Sequence, residues 1–357
     1  MGRKFVSILA TIGGVFIYII LGWTIVIPTL VSMFVLDYFF RKRVTPTLIC
    51  DENKYYPGLL ETQRYFMSKE NKLYGAFFSH EGHKPYKGLM IVSHGIGCSH
   101  RNYLQVIDYF ARKDYLVFSF DMTGCCLSEG NKGMDGLQRA IIDLKSAILF
   151  ASAQEEAKGL DVFVFGHSWS GYASAAVLND EEVRSKVKAV ASLCGFHNSW
   201  DVMKDQGIKK VGKIVKLSRP FVHILGRIRY GKIVKYKGLK GINKYDGPVY
   251  VAHSRDDKTV AFSYSIARLQ DKCTNKKAEF HIYDNLGHTL YRPLEAEASI
   301  TKKREGKAPL KLKDENIFQY FMDDRYRFST REEVFGMNEE FMDTIEDFFV
   351  RAKGDIC

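Results

Sequence analysis

From Phe5 to Leu36 the chain carries no basic or acidic residue, and this apolar stretch is bracketed by Arg3-Lys4 and Arg41-Lys42-Arg43. A run longer than about 18 apolar residues is long enough to span a bilayer. A cleaved signal peptide is the alternative, but the run is too long for one and lacks an A-x-A cleavage site. Either one long helix or a hairpin broken near Gly13-Gly14 or Pro28 satisfies the pattern. Thr45 to Glu61, with Pro46 and Pro57, reads as a linker. Thr62–Met67 and Lys72–Phe78 flank Glu70-Asn71 as a leading hairpin. Apolar runs then alternate with helical patterns. Strands are expected at Leu89–Ser93, Tyr115–Phe120, Val162–Phe165, Val187–Leu193, Val249–Ala252 and Ala278–Tyr283. Helices are expected at Tyr103–Lys113, Leu137–Ala153, Tyr172–Leu178 and Asn338–Arg351. Alternation of this kind predicts an α/β fold with a mostly parallel, doubly wound sheet and its sites at the C-terminal strand ends.

Two stretches interrupt the alternation. Residues 196–246 hold far more Lys and Arg than Asp and Glu, and residues 301–315 form a second, Lys-rich charged loop. The expected organisation is therefore an anchor at 1–43, a linker at 44–61 and a globular domain at 62–357 carrying both insertions. The net charge of +11 resides mostly in the first insertion. Within it Ile208, Val211, Ile214 and Val215 recur at helical spacing among lysines. A basic amphipathic segment of this type either presents a solvated face or lies on an anionic membrane. No nucleic-acid reading motif accompanies the charge. The seven cysteines are an odd number without a C-x-x-C pair, which argues against a disulfide framework or a zinc site and favours a reducing compartment. With positive charge slightly heavier on the C-terminal side of the anchor, the globular domain is expected on the cytoplasmic face.

The chemistry centres on Val162-Phe163-Val164-Phe165-Gly166-His167-Ser168-Trp169-Ser170-Gly171. A strand, an abrupt turn and a small-residue helix with a serine at the corner describe a nucleophile elbow. Gly166 and Gly171 leave room for the turn, although the usual fifth-place glycine is Ser170 here. A serine hydroxyl near its free pKa is a weak nucleophile and needs a base, which in turn needs an orienting acid. His288 follows a strand within Gly287-His288-Thr289, and Asp256-Asp257 follows another, giving the order serine, acid, histidine. Upstream, Ser93-His94-Gly95-Ile96-Gly97 closes a strand with small residues, where a backbone N–H can join that of Trp169 against a developing oxyanion.

With His94-Gly95-Ile96-Gly97, Asp121-Met122-Thr123-Gly124 and Ser128-Glu129-Gly130, Gly166-His167-Ser168, Asp257 and Gly287-His288 in this order, the chain resembles the α/β-hydrolase superfamily. It is similar in particular to its lysophospholipase, monoacylglycerol-lipase and serine-aminopeptidase branch. Cys126 stands where that family's glycine-rich loop has a glycine. The resemblance, covering Thr62 to Arg351, implies an α/β-hydrolase fold with an inserted helical cap. It also implies Ser168 as nucleophile, His288 as base and Asp257, three residues before Val260, as acid. Backbone amides of Ile96 and Trp169 would form the oxyanion hole, supported by His94, Gly95, Gly166 and Gly171, with no metal or cofactor.

Several neighbours read more plainly. His94 and His167 are expected to be structural, His253 buried and satisfied, and Cys98, Cys125 and Cys126 small fillers. The expected activity is hydrolysis of a carboxylic ester, lipid-like in view of the anchor and the basic insertion. A peptidase or thioesterase using the same residues, or a scaffold without activity, are the other readings.

Overall fold

In the computed structural model, which describes residues 2–41, 53–82, 84–130, 135–293, 296, 298, 299, 302 and 331–354, one sheet organises the chain. Its eight strands run in the order β1-β2-β4-β3-β5-β6-β7-β8. They are β1 (Leu59–Ser68), β2 (Asn71–His80), β3 (Gly88–Ser93), β4 (Tyr115–Phe120), β5 (Val162–His167), β6 (Val187–Leu193), β7 (Val249–Ser254) and β8 (Ala278–Tyr283). β1 and β2 form an antiparallel hairpin in register Ser68↔Asn71, and β2 joins β4 antiparallel. From β4 to β8 all pairing is parallel. β1 begins at Leu59, three residues before the expected start, because Leu59, Leu60 and Glu61 pair with His80, Ser79 and Phe78.

Alternate residues of the central strands serve two cores. Leu89, Ile91, Val162 and Val164 face one side, against α4 (Arg139–Ser152) and α5 (Trp169–Val177). Met90, Val92, Phe163 and Phe165 face the other, among side chains of α3 (Leu104–Arg112) and of the last helix. Burial on both faces is what a parallel sheet with helices on either side requires, and it explains continuous apolar strands in place of alternating ones. After β5 and α5 a short α6 (Glu181–Arg184) leads into β6. The chain's last described helices are α10 (Arg331–Phe335) and α11 (Glu339–Gly354). Except for Lys302, the expected charged loop at 301–315 lies outside the described residues, as do 44–52 of the expected linker.

Between β6 and β7 the chain forms α7 (Ser199–Val211), a 3₁₀ segment (Gly212–Ser218), α8 (Arg219–Tyr230), a 3₁₀ segment (Gly231–Lys235) and α9 (Gly238–Ile242). The periodicity over Ile208–Leu217 does not give one helix. Gly212, at φ 76, ends α7, and the tighter turn that follows brings the buried Val215 against Gly207, where a Cβ would meet its side chain at 2.5 Å. The inserted helices rest on α5 and the loop before α4. The Tyr172 hydroxyl donates to the Tyr236 carbonyl, the Gln138 amide to Ser199 Oγ, and the Tyr230 hydroxyl to the Asp135 carbonyl.

The N-terminal segment is continuous: α1 (Gly2–Leu21), a π-helical turn (Gly22–Val26) and α2 (Ile27–Arg41). No hairpin forms at Gly13-Gly14 or at Pro28. A proline lacks the N–H needed for an i→i−4 bond, and the wider turn just before Pro28 accommodates that loss without a break. Val6–Val35 has a mean hydropathy of 2.2.

Candidate active site

The turn after β5 carries the site. Ser168 adopts φ 62 and ψ −115, a conformation unfavourable to a side chain, and sits at the N-cap of α5. The turn is possible because its flanks are glycines. A Cβ on Gly166 would stand 2.3 Å from the Ser170 carbonyl, and one on Gly171 2.2 Å from that of Leu193. The Ser168 N–H donates to the Leu193 carbonyl at 2.8 Å. Ser170, at the irregular position of the motif, is fully buried; its hydroxyl donates to the His94 carbonyl at 2.6 Å and lies 2.8 Å from Ser93 Oγ. This side chain ties α5 to the loop after β3.

Ser168 Oγ lies 2.9 Å from Nε2 of His288, and Nδ1 of His288 lies 2.7 Å from Oδ2 of Asp257. The imidazole thus carries its proton on Nδ1, toward the carboxylate, and offers an unprotonated Nε2 to the serine hydroxyl. Asp257 is buried, and Oδ1 accepts the backbone N–H of Thr259 at 2.8 Å and of Val260 at 2.9 Å. Nε2 of His253 lies 3.2 Å from Oδ2. Burial alone would raise this carboxyl, but hydrogen bonds from His253 and His288 outweigh it and hold it well below its ordinary value. Asp256, the other candidate acid, faces elsewhere: Oδ1 accepts the Gly287 N–H at 3.1 Å and bonds the Ser254 hydroxyl. It fixes the loop on which His288 stands.

His253 is buried as expected but only half satisfied. Nε2 donates to the Val260 carbonyl at 2.9 Å, whereas Nδ1 is buried with no partner among the described residues. His94 accepts the Met122 N–H on Nε2 at 3.0 Å, so Nδ1 carries the proton toward the Gly95 carbonyl at 2.8 Å. Burial depresses its pKa, and the neutral ring pins the loop between β3 and the residues after β4. The backbone of that loop lies against Ser168, since a Cβ on Gly95 would stand 3.3 Å from its Cβ. The Gly95 N–H donates to the Tyr103 hydroxyl at 3.0 Å. Among the described residues the amides of Ile96 and Trp169 have no acceptor; that of Trp169 opens α5 and lacks an intrahelical partner.

A residue without a motif completes the frame. The Tyr103 hydroxyl lies 2.7 Å from Nδ1 of His167, and Nε2 of His167 lies 2.9 Å from the His288 carbonyl. A carbonyl only accepts, so His167 is protonated on Nε2 and takes the Tyr103 proton on Nδ1. Burial, with the adjacent His288, lowers the His167 pKa to about 3. The chain Gly95–Tyr103–His167–His288 connects the loop after β3 to the loop carrying His288. The sequence signals His167 by its place in the elbow; nothing local signals Tyr103, 64 residues away.

Cys194 adjoins the same histidines. Its thiol and ligand atoms of His253 and Asp257 lie within 4.8 Å of one another, and the same holds for His167, Cys194 and His288. Burial pushes the Cys194 thiol up, and the nitrogens of His167 and His288 are committed to the bonds above. A protonated thiol is a poor metal ligand, so these groups read as a hydrogen-bonded cluster. Among the described residues Cys98, Cys125, Cys126, Cys194 and Cys273 form no disulfide.

A family model described as serine aminopeptidase, S33, matches residues 84–238. No curated protein sequence matches the chain. Among solved structures, an esterase of Pyrococcus furiosus superposes with a TM-score of 0.50 at 18% identity, covering 71% of this chain and 93% of that one. A membrane phospholipase A, described as a bacterial virulence factor, gives 0.44 at 14% identity over 85% of this chain and 98% of that one. At these identities the likeness is one of fold.

Proposed function

We propose that this chain, which shares its fold with an esterase and whose residues 84–238 match a family model described as serine aminopeptidase, S33, is a membrane-anchored serine hydrolase. It cleaves a carboxylic ester, lipid-like, through an acyl-enzyme on Ser168. The observation that carries this reading is the pair of contacts at 2.9 Å from Ser168 Oγ to His288 and 2.7 Å from His288 to Asp257. His288 Nε2 takes the Ser168 proton as Oγ attacks the ester carbonyl, then returns it to the leaving alcohol; water, deprotonated in the same way, releases the acid. Asp257 holds the Nδ1 tautomer and balances the imidazolium. Its depressed pKa keeps it ionised at neutral pH. The amides of Ile96 and Trp169, which lack acceptors, form the oxyanion hole. The anchor is the apolar helix; its flanking charges and the odd number of cysteines without a C-x-x-C pair favour a cytoplasmic domain.

Fluorophosphonate labelling of the wild type and of Ser168→Ala tests the nucleophile. The expected result is labelling that disappears with the substitution, and hydrolysis that falls by on the order of 10⁴-fold or more. Labelling that persists refutes Ser168. A panel of esters of rising acyl length, with amide and thioester analogues, tests the substrate class; a preference for acetyl esters, amides or thioesters overturns the lipid-ester reading.

A further inference from the structure

The inserted helices roof a cavity of about 920 Å³, within the size range of small-molecule sites. Its apolar walls include Met203, Val222, Val234 and Tyr236, whereas Lys216, Arg219, Lys235, Lys237 and Lys240 supply positive charge. Among the described residues none of these five cations has a carboxylate partner. The single lining carboxylate among the described residues, Asp201, is already paired with Lys204 at 3.2 Å and bonded to Asn198. All five cations are exposed, so water screens their mutual repulsion, and together they give the rim a positive field that favours an anion; the apolar floor suits a hydrocarbon chain. Leu137, on the same wall, accepts the indole N–H of Trp169 at 2.8 Å, so the cavity adjoins the residue that follows Ser168.

The long helix supplies a second, independent observation. From Val6 to Val26 every residue except Gly22 is exposed; from Ile27 onward one side of α2 is covered, with Pro28, Ser32 and Val35 buried. Twenty-one residues at 1.5 Å each give about 31 Å, the thickness of a bilayer's hydrocarbon core. The covered part docks on the inserted helices, where Ser32 Oγ lies 3.2 Å from the Ser218 carbonyl. Arg219, next to Ser218, is on the cavity wall. Lys216 and Arg219, which flank this contact, therefore stand where the bilayer-length exposed stretch of the helix ends, the level expected of lipid headgroups. Leu217, Ile224 and Ile228 are exposed beside them.

Resting on the hydrolase reading above, we infer that this cavity is the headgroup site for a lipid substrate bearing an anionic phosphate, admitted from the adjacent leaflet beside α2. The lysines and Arg219 hold the phosphate, and the apolar walls take the chain whose ester faces Ser168.

The test uses the full chain carrying Ser168→Ala in phosphatidylcholine nanodiscs, so that binding is read without turnover. The signal is the fluorescence of Trp200, which lines the cavity, with Trp200→Phe as the blank. Lysophosphatidic acid is expected to half-saturate at a concentration at least ten-fold below that of lysophosphatidylcholine. Lys216→Glu with Arg219→Glu, and separately Lys235→Glu with Lys237→Glu on another segment, are each expected to weaken it at least ten-fold. Lys213→Glu with Arg227→Glu, both exposed and outside the cavity, are expected to leave it within about two-fold. Equal affinity for the two lipids overturns the site, as does equal loss in the outer pair, which would reduce the effect to a surface field. Inorganic phosphate binding as tightly as the lipid would make it a free-phosphate site and overturn the lipid assignment. Fluorophosphonate labelling of the wild type reports on Ser168 separately, so the binding result stands or falls without it.

Discussion

Ser170 shows how one residue can depart from a motif and still be required by its surroundings. Replacing it by the usual glycine would restore the familiar pattern, yet it would leave the His94 carbonyl and Ser93 Oγ buried without this partner. We expect Ser170→Gly to destabilise the fold by about 1–3 kcal/mol, read by chemical denaturation; an unchanged or raised stability contradicts the role given to the hydroxyl. The adjacent carboxylates make a second comparison. Asp257→Asn removes the charge facing His288 and should lower kcat by on the order of 10⁴-fold. Asp256→Asn weakens only the grip on Gly287 and Ser254, and the resulting displacement of His288 is expected to cost about 10²-fold or less. Equal losses would show that the two residues are not divided in this way. At this scale the sequence is informative about residues with a chemical signature at a turn, such as Ser168, His288 and Gly166. It is silent on Tyr103 and on the unpartnered nitrogen of His253, because those states depend on neighbours far away in the chain.

The strands were legible because each is buried on both faces, so that a short apolar run bounded by polar turns has few other solutions. The inserted helices were less so, since apolar periodicity continues across Gly212 although the backbone does not. Between elements, the neutral His167 ring links β5 to the loop carrying His288, and its depressed pKa has a consequence for stability. The folded protein protonates His167 only near pH 3, whereas the unfolded chain does so near 6.5. Between those values the unfolded state binds the extra proton, so stability falls as pH drops through this window. His167→Gln keeps a donor for the His288 carbonyl and cannot titrate. We expect wild-type unfolding free energy to decline between pH 6 and 4 more steeply than that of the variant, by up to about 1.4 kcal/mol per pH unit. Parallel slopes would mean that the ring is protonated in the folded state.

At the scale of the whole molecule, the apolar helix has two parts, one exposed along its whole surface and one covered on one side by the protein. Hydropathy reveals the run but not the division, because the contact that defines it joins Ser32 to Ser218, 186 residues later. The outer part, Val6–Val26, touches almost nothing in the protein; the inner part covers the turn and helix that bury Val215 and Val222. Removing residues 2–26 should therefore take away membrane attachment alone. That protein is expected in the soluble fraction, with a melting temperature within a few degrees of the intact chain, since about 1 kcal/mol corresponds to roughly 2–4 °C in a domain of this size. Removing residues 2–41 also strips α2 from its dock. Burial of Val35 alone is worth about 1.5–3 kcal/mol, and the uncovered apolar surface is an aggregation liability. The longer truncation is expected to melt at least several degrees lower or to aggregate, as read by scanning calorimetry and light scattering. If both truncations behave alike, the inner turns of the helix are not part of the fold, and nothing then holds Lys216 and Arg219 at headgroup depth.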